Sequence, residues 1–432
     1  MKKAGYLIAL LLAFWHLPGL ATSSCTTANL RYANSSNTLY LQTGGICRVA
    51  DIAALKPLQL VNQSDGVYLL KANLKLTDGS ALMIDGDDPT DPVVEFRLLS
   101  NNTGLANSVV NLTADYGIVQ INHTKVLSWD EAVQGPDTDY TTANRAYIRV
   151  RSGAADKQSR MDVTGSDIGY LGYYASESYG LTWKVSGTLN DVRVYGNILN
   201  SRIHNNYFGV FTYGAYGMMI SGNEFDHNVK YGLDPHDDSD YLTVSSNSAH
   251  HNGDHGIICS QRCNNLVIRY NNSYSNAGHG IMLHRSVDNS LVEYNQVFDN
   301  EDTGIALFES NNNIIRGNIV QGNKTGIRLS VGSSYNSFQG NMIYGSTDNG
   351  IYTYKGTDEP ERVGNDGINR GNVWSQNDIT ATGAYILKLN ATDGDTFSSN
   401  DFSGNSLAKF YVKGATNTTY SNNLLDPGMT LP

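Results

Sequence analysis

The segment Tyr231-Gly-Leu-Asp-Pro-His-Asp-Asp-Ser239 sets one imidazole, His236, among three carboxylates: Asp234, Asp237 and Asp238. Strand side chains alternate faces, so Asp234 and His236 point to the same side. Neighbouring carboxylates orient an imidazole and raise its pKa, which suits proton transfer. Pro235, between them, removes a ladder donor from what should be a central strand. Places where local rules fail are where function is expected. A metal site built from Asp234, His236 and His284 does not suit the spacing, because these histidines lie two coils apart, roughly 9.6 Å. Asp85-Gly-Asp-Asp-Pro-Thr-Asp91 reads as an acidic turn, with a calcium loop as the alternative. No cofactor is otherwise required.

These residues are positioned by a repeat. Aligned on glycine, the chain reads GLDPH from Gly232, GIICS from Gly256, GIMLH from Gly280, GIALF from Gly304, GIRLS from Gly326 and GIYTY from Gly350, with GVFTY from Gly209 ahead of them. A second ladder runs in step: Asn223, Asn247, Asn271, Asn295, Asn318 and Asn341. Each repeat is expected to hold a strand, an asparagine-containing turn, a second strand and another turn. One such unit cannot bury its apolar edge alone, so units stack. The expected fold is all-β, a right-handed parallel β-helix of 23- to 24-residue coils. Positions +1 and +3 after glycine should face the core, with glycine, +2 and +4 outside, and the asparagines should form amide ladders at the turns. Leucine-rich repeats have a different consensus, and propellers need longer repeats.

The +2 and +4 residues form a lateral stripe: Phe211 and Tyr213, Asp234 and His236, Ile258 and Ser260, Met282 and His284, Ala306 and Phe308, Arg328 and Ser330, Tyr352 and Tyr354. A long groove of aromatics, histidines and cations fits a polymer better than a small molecule. Its substrate-binding candidates are Tyr213, His284, Phe308, Arg328 and Tyr354, with Arg285 at the edge.

The 432 residues carry a net charge of −11, which argues against a nucleic-acid partner. Lys2 and Lys3 precede an apolar run from Tyr6 to Trp15, so residues 1–23 read as a secretory leader. No later run is apolar for long enough to span a membrane. The expected organisation is an N-terminal cap with first coils and a loop region (24–145), a catalytic β-helix (146–392) and a C-terminal cap (393–432). A secreted monomer is expected, periplasmic if bacterial. Four cysteines suit an oxidising compartment: Cys25 and Cys47 could staple the N-terminus, and Cys259 and Cys263 a small loop, among three possible connectivities. Nine Asn-x-Ser/Thr sequons, at Asn34, Asn62, Asn101, Asn111, Asn122, Asn271, Asn323, Asn390 and Asn417, permit glycosylation.

Tyr231-Gly-Leu-Asp-Pro-His-Asp237, then HGIICSQR from His255 and HGIMLHR from His279, resembles the alginate (mannuronan) C5-epimerases. SRIHNNYFGVFTY from Ser201 and SDIGYLGYYASESYG from Ser166 look like that family's periplasmic bacterial type, while the leader, sequons and extra cysteines look like its brown-algal branch. The resemblance implies conversion of β-D-mannuronate to α-L-guluronate within an acidic polysaccharide. A base takes the C5 proton, an acid returns one to the opposite face, and a cation offsets the carboxylate. By motif match His236 is the base, Asp234 its partner and Arg262 the cation. The family has serine directly before this arginine, whereas Gln261 intervenes here, and Arg285 is the alternative. The acid is left open between Tyr231, another tyrosine or His204 of the preceding coil, and water. The rivals are a uronate polysaccharide lyase, a glycoside hydrolase with paired carboxylates, and a non-catalytic wall-binding protein.

Overall fold

The structure, a computed structural model, describes residues 24–100, 109–141, 144–187, 191–405 and 409–432. The expected leader and the Asn101 sequon lie outside the described residues.

The repeat winds into a right-handed parallel β-helix with three sheets, of sixteen, fourteen and fourteen strands among the described residues. One coil supplies Ile257–Ser260, Val267–Arg269 and Asn272–Tyr274 to the first, second and third sheets, and the next coil stacks on all three in register. Each coil therefore holds three strands rather than the expected two. Val267–Arg269 is only three residues long, too short for alternation to announce it.

The +1 and +3 residues fill the core as expected. Leu233, Ile281, Ile305, Ile327, Leu283, Leu307 and Leu329 are fully buried, each contributing roughly 1.5–3 kcal/mol. Glycine, however, faces inward. A Cβ on Gly256 would lie 2.2 Å from Ser273 Oγ, on Gly280 2.2 Å from Val297 Cγ1, and on Gly326 2.3 Å from Ile343 Cγ2. Two consecutive residues, glycine and +1, thus point inside as the chain rounds the corner from the third sheet into the first. The ladder marks a close approach to third-sheet side chains. It also swings position −1 outward.

The asparagine ladder forms at the corner between the second and third sheets. Asn271 Nδ2 donates to Asn295 Oδ1 at 2.9 Å and to the Val244 carbonyl at 3.0 Å. A second ladder, Asn228–Asn252–Asn276–Asn300–Asn323, lines the corner leading into the first sheet. Such rows satisfy corner backbone groups that no sheet can reach.

The helix Val49–Leu55 and the antiparallel pairs Leu30–Ala33 with Thr38–Leu41 and Leu60–Ser64 with Val67–Leu70 form the N-terminal end, which Cys25–Cys47 staples. Between residues 87 and 145 regular strands run through the expected loop region: Glu95–Leu99, Leu112–Asp115, Gly117–Asn122 and Lys125–Asp130. After Asp393 the chain continues the stack, because Lys409–Thr416 pairs in parallel with Tyr385–Asp393. One coil is longer than its neighbours in the regular repeat: Asn336 and Asn372 occupy successive rungs 36 residues apart, against 23 for Asn313 and Asn336. The extra chain lies against the first sheet. No helix among the described residues is long and apolar enough to cross a membrane.

Candidate active site

The first sheet holds the expected columns in register. Tyr213, His236, Ser260, His284, Phe308, Ser330 and Tyr354 pair one above another, and so do Phe211 with Asp234 and Ile258, Met282, Ala306, Arg328 and Tyr352. The +2 column is less open than alternation implied. Ile258, Met282, Ala306 and Phe308 form a small apolar cluster of their own with Val331, against which Tyr231 packs. Pro235 leaves its mark too: between Leu233–His236 and Ile257–Ser260 only the end pairs, Leu233 with Ile257 and His236 with Ser260, remain matched.

Above this interruption lies a pocket of about 240 Å³ lined by Tyr231, His236, His255, Ile258, Ser260, Gln261, Met282 and His284. His236 Nδ1 meets Asp237 Oδ2 at 2.5 Å, and the ring lines the pocket. Burial depresses this imidazole, but the Asp237 hydrogen bond and the Asp234 and Asp237 charges outweigh it, so the net pKa is raised. The partner expected for His236 was Asp234; the direct partner is Asp237. Residues two apart on a strand are parallel, not convergent, whereas Asp237 turns back at the corner in a left-handed conformation (φ 22°). Asp234 is 1% exposed, and its Oδ1 has no hydrogen-bond partner among the described residues. Burial, opposed by His236 and by a hydrogen bond from Ser260, pushes its pKa up to about 7. Tyr231 is raised by burial and then by the Asp234 charge, so its hydroxyl keeps its proton. His284 is pushed down to about 4, by burial and the Arg285 charge.

The two arginines differ. Arg262 Nε donates to Asp238 at 3.1 and 3.2 Å, and Nη2 reaches both Asp238 and Asp237. It is thus coupled through Asp237 to His236. Backbone bonds align Arg262 with Asp238, while Gln261 takes the rung between Asp237 and Arg285. Arg285 is covered by the long coil's extra chain: its Nη1 donates to the Glu359 carbonyl at 3.1 Å, with Glu361 and Asp358 carboxylates at 3.5 and 3.8 Å. Fully buried Glu309 anchors that strap by accepting from the Glu361 and Arg362 amides at 2.9 and 2.7 Å.

Further along, Phe308 and Tyr354 line a second recess of about 320 Å³ with Tyr352 and Asp358. Arg328 meets His279 Nε2 at 2.9 Å and lies 5.9 Å from the Tyr354 ring centre. Tyr213 stands next to His236 on the preceding coil. His204 does not join them. It lies on the third-sheet strand Arg202–His204, bonded to Asp167 and Asn205, both at 2.7 Å. The acidic turn is closed by its own bonds: Asp88 accepts from the Thr90 and Asp91 amides at 2.9 and 3.2 Å and pairs with Arg48.

A third outer column was missed from the sequence. Position −1 before the first four ladder glycines supplies Phe208, Tyr231, His255 and His279, with ring centres successively 5.0, 5.4 and 4.6 Å apart. The signal was present as the residue preceding these ladder glycines, but strict alternation assigns it to the core.

A family model described as "Periplasmic copper-binding protein (NosD)" matches residues 183–375 and 287–428, together more than half of the chain. The chain belongs to this NosD family. Its description names copper, but the donors here do not fit one: all four cysteines are in disulfides, and among the described residues no three His, Cys, Asp or Glu side chains are grouped to hold a metal. Within curated proteins, this NosD-family chain is 29% identical over 207 residues to the mannuronan C5-epimerase of Pseudomonas aeruginosa, covering 46% of the chain and 35% of that relative. It is 29% identical over 213 residues to mannuronan C5-epimerase AlgG of Azotobacter vinelandii, covering 46% and 36%. The chain thus spans about a third of the length of these relatives. The crystal structure of the periplasmic alginate epimerase AlgG superimposes with a TM-score of 0.71, at 22% identity, over 90% of this chain and 85% of that one. That likeness is one of fold.

Proposed function

We propose that the chain is a polymer-level C5-epimerase that converts β-D-mannuronate to α-L-guluronate in alginate. The observation that carries this reading is the Asp234-Pro235-His236 rung, with a substrate-facing imidazole backed by Asp237 in a one-sugar pocket on a long lateral groove. The names of the curated relatives support it.

In this reading His236 Nε2 takes the C5 proton. Asp237 holds the ring and stabilises the imidazolium that forms. The electron pair moves towards the substrate carboxylate, where hydrogen-bond donors and the Arg262 side of the pocket offset the charge. Tyr231, which also lines the pocket and is still protonated, supports the return of a proton to the other face. Tyr213, Phe308, Arg328 and Tyr354 extend the groove for neighbouring sugars. The natural setting of such an enzyme is outside the cytoplasm, in keeping with the disulfides.

The test is proton NMR of polymannuronate incubated with the protein in deuterated water. Guluronate signals with deuterium at C5 and undiminished chain length are expected, and His236→Ala should abolish them. Unsaturated uronate ends with chain shortening would replace this reading with a lyase.

A further inference from the structure

The −1 column contains a device that the proposed chemistry above does not use. His255 Nδ1 accepts the backbone N–H of His279 at 2.9 Å. An imidazole whose Nδ1 lone pair is occupied by a backbone donor must carry its proton on Nε2 while neutral. The ring is held flat by Tyr231 on one side and His279 on the other, with interplanar angles of 24° and 13°. It lines the pocket together with His236.

We infer that His255 is a further catalytic residue, a neutral imidazole whose Nε2–H is aimed into the pocket to donate a hydrogen bond to the carboxylate of the bound uronate. The inference rests on the proposed epimerase reading. Three observations support it. Arg262 is shared with two carboxylates and Arg285 with the strap, so the positive charge on that side of the pocket is partly offset and a separate neutral donor adds to it. Burial, opposed by Asp254, keeps the His255 pKa below its ordinary value, so the ring stays neutral near neutral pH. Asp254 Oδ1 lies 3.1 Å from Nδ1, but the His279 N–H occupies that lone pair, so the carboxylate is a neighbour rather than the proton's acceptor. A pre-aligned donor strengthens as charge moves from C5 onto the carboxylate oxygens, so it acts on kcat more than on KM.

The experiment has two arms. Selective 15N-histidine labelling of the full chain, with the His255 signals assigned by comparison with His255→Gln, reads the tautomer directly. An Nε2–H ring is expected, and an Nδ1–H or doubly protonated ring at pH 7 would overturn the inference. In the second arm, His255→Ala should lower kcat on polymannuronate by about 10²–10³, the cost of one oxyanion donor, with KM little changed. His255→Gln, which keeps an N–H donor, should recover part of that loss. Failure of the epimerase reading would show in the wild-type protein, as no guluronate formed. Failure of this inference alone would show in active wild type whose His255→Ala variant keeps kcat within threefold.

Discussion

Asp234→Asn should separate the electrostatic role of this residue from its structural one. Asp234 is 1% exposed, and its carboxyl moves from an ordinary 3.8 to about 7 on folding. At about 1.4 kcal/mol per pKa unit, the buried charge costs roughly 4 kcal/mol above pH 7. The folded pKa lies above the unfolded one, so the protonated side chain's contribution to stability is fully present below pH 4 and is lost as pH rises through about 7. Asparagine keeps the shape and the acceptor for Ser260 but buries an amide N–H₂ without an evident partner, at about 1–3 kcal/mol. The variant should therefore be about 2 kcal/mol more stable than wild type at pH 8.5 and less stable at pH 4, while guluronate formation collapses. Thermal unfolding at the two pH values measures this. A variant destabilised equally at both would refute the account of Asp234 as a costly buried charge.

Asp237→Asn removes the charged acceptor on His236 Nδ1. The His236 pKa should fall, and since the base must be neutral to take a proton, the acid limb of kcat/KM against pH should move to lower pH; an unmoved limb would assign the base elsewhere. Gly280→Ala places a Cβ 2.2 Å from Val297 Cγ1 and should cost about 1–3 kcal/mol in thermal unfolding, whereas Gly153→Ala, with nothing within 4 Å of its Cβ, should be nearly neutral. Protein secreted from a glycosylating host should carry no glycan at Asn271 or Asn323, both 0% exposed within the ladders, and glycopeptide mapping should find occupancy only at accessible sequons such as Asn62 and Asn390. A glycan on Asn271 in folded protein would contradict the ladder.

The one-dimensional repeat made most of the architecture legible. Leu233 to Ile351 at +1 and the asparagine row from Asn223 to Asn341 recur at the coil length, and in a stacked fold that periodicity is itself the tertiary contact. It also isolated Asp234-Pro235-His236, because a proline inside a repeat is visible against its neighbours. What the repeat did not reveal lies at corners, where the period-two rule stops. Gly256 and Ile257 both turn inward, so His255 and His279 emerge on the outer face. Asp237 turns back onto His236, although Asp234 shares its strand face. The three-residue strand Val267–Arg269 is too short to declare itself.

Charge partnership was also beyond the sequence. Arg262 and Arg285 look alike in a motif, but the residues that neutralise them are set by which coils and loops pack above them. Asp237 and Asp238, a coil earlier, engage Arg262; Glu361, dozens of positions later, approaches Arg285 only because the long coil folds its extra chain across the sheet. By itself the sequence determined the coil and its core-facing +1 and +3 residues, and it singled out the irregular rung to which the proposed chemistry is assigned, because those follow from spacing along one axis. The hydrogen-bond partner of each ring, and which cation is shared with which carboxylate, were decided by the tertiary structure, because they depend on lateral approach at corners and on chain that returns from far away.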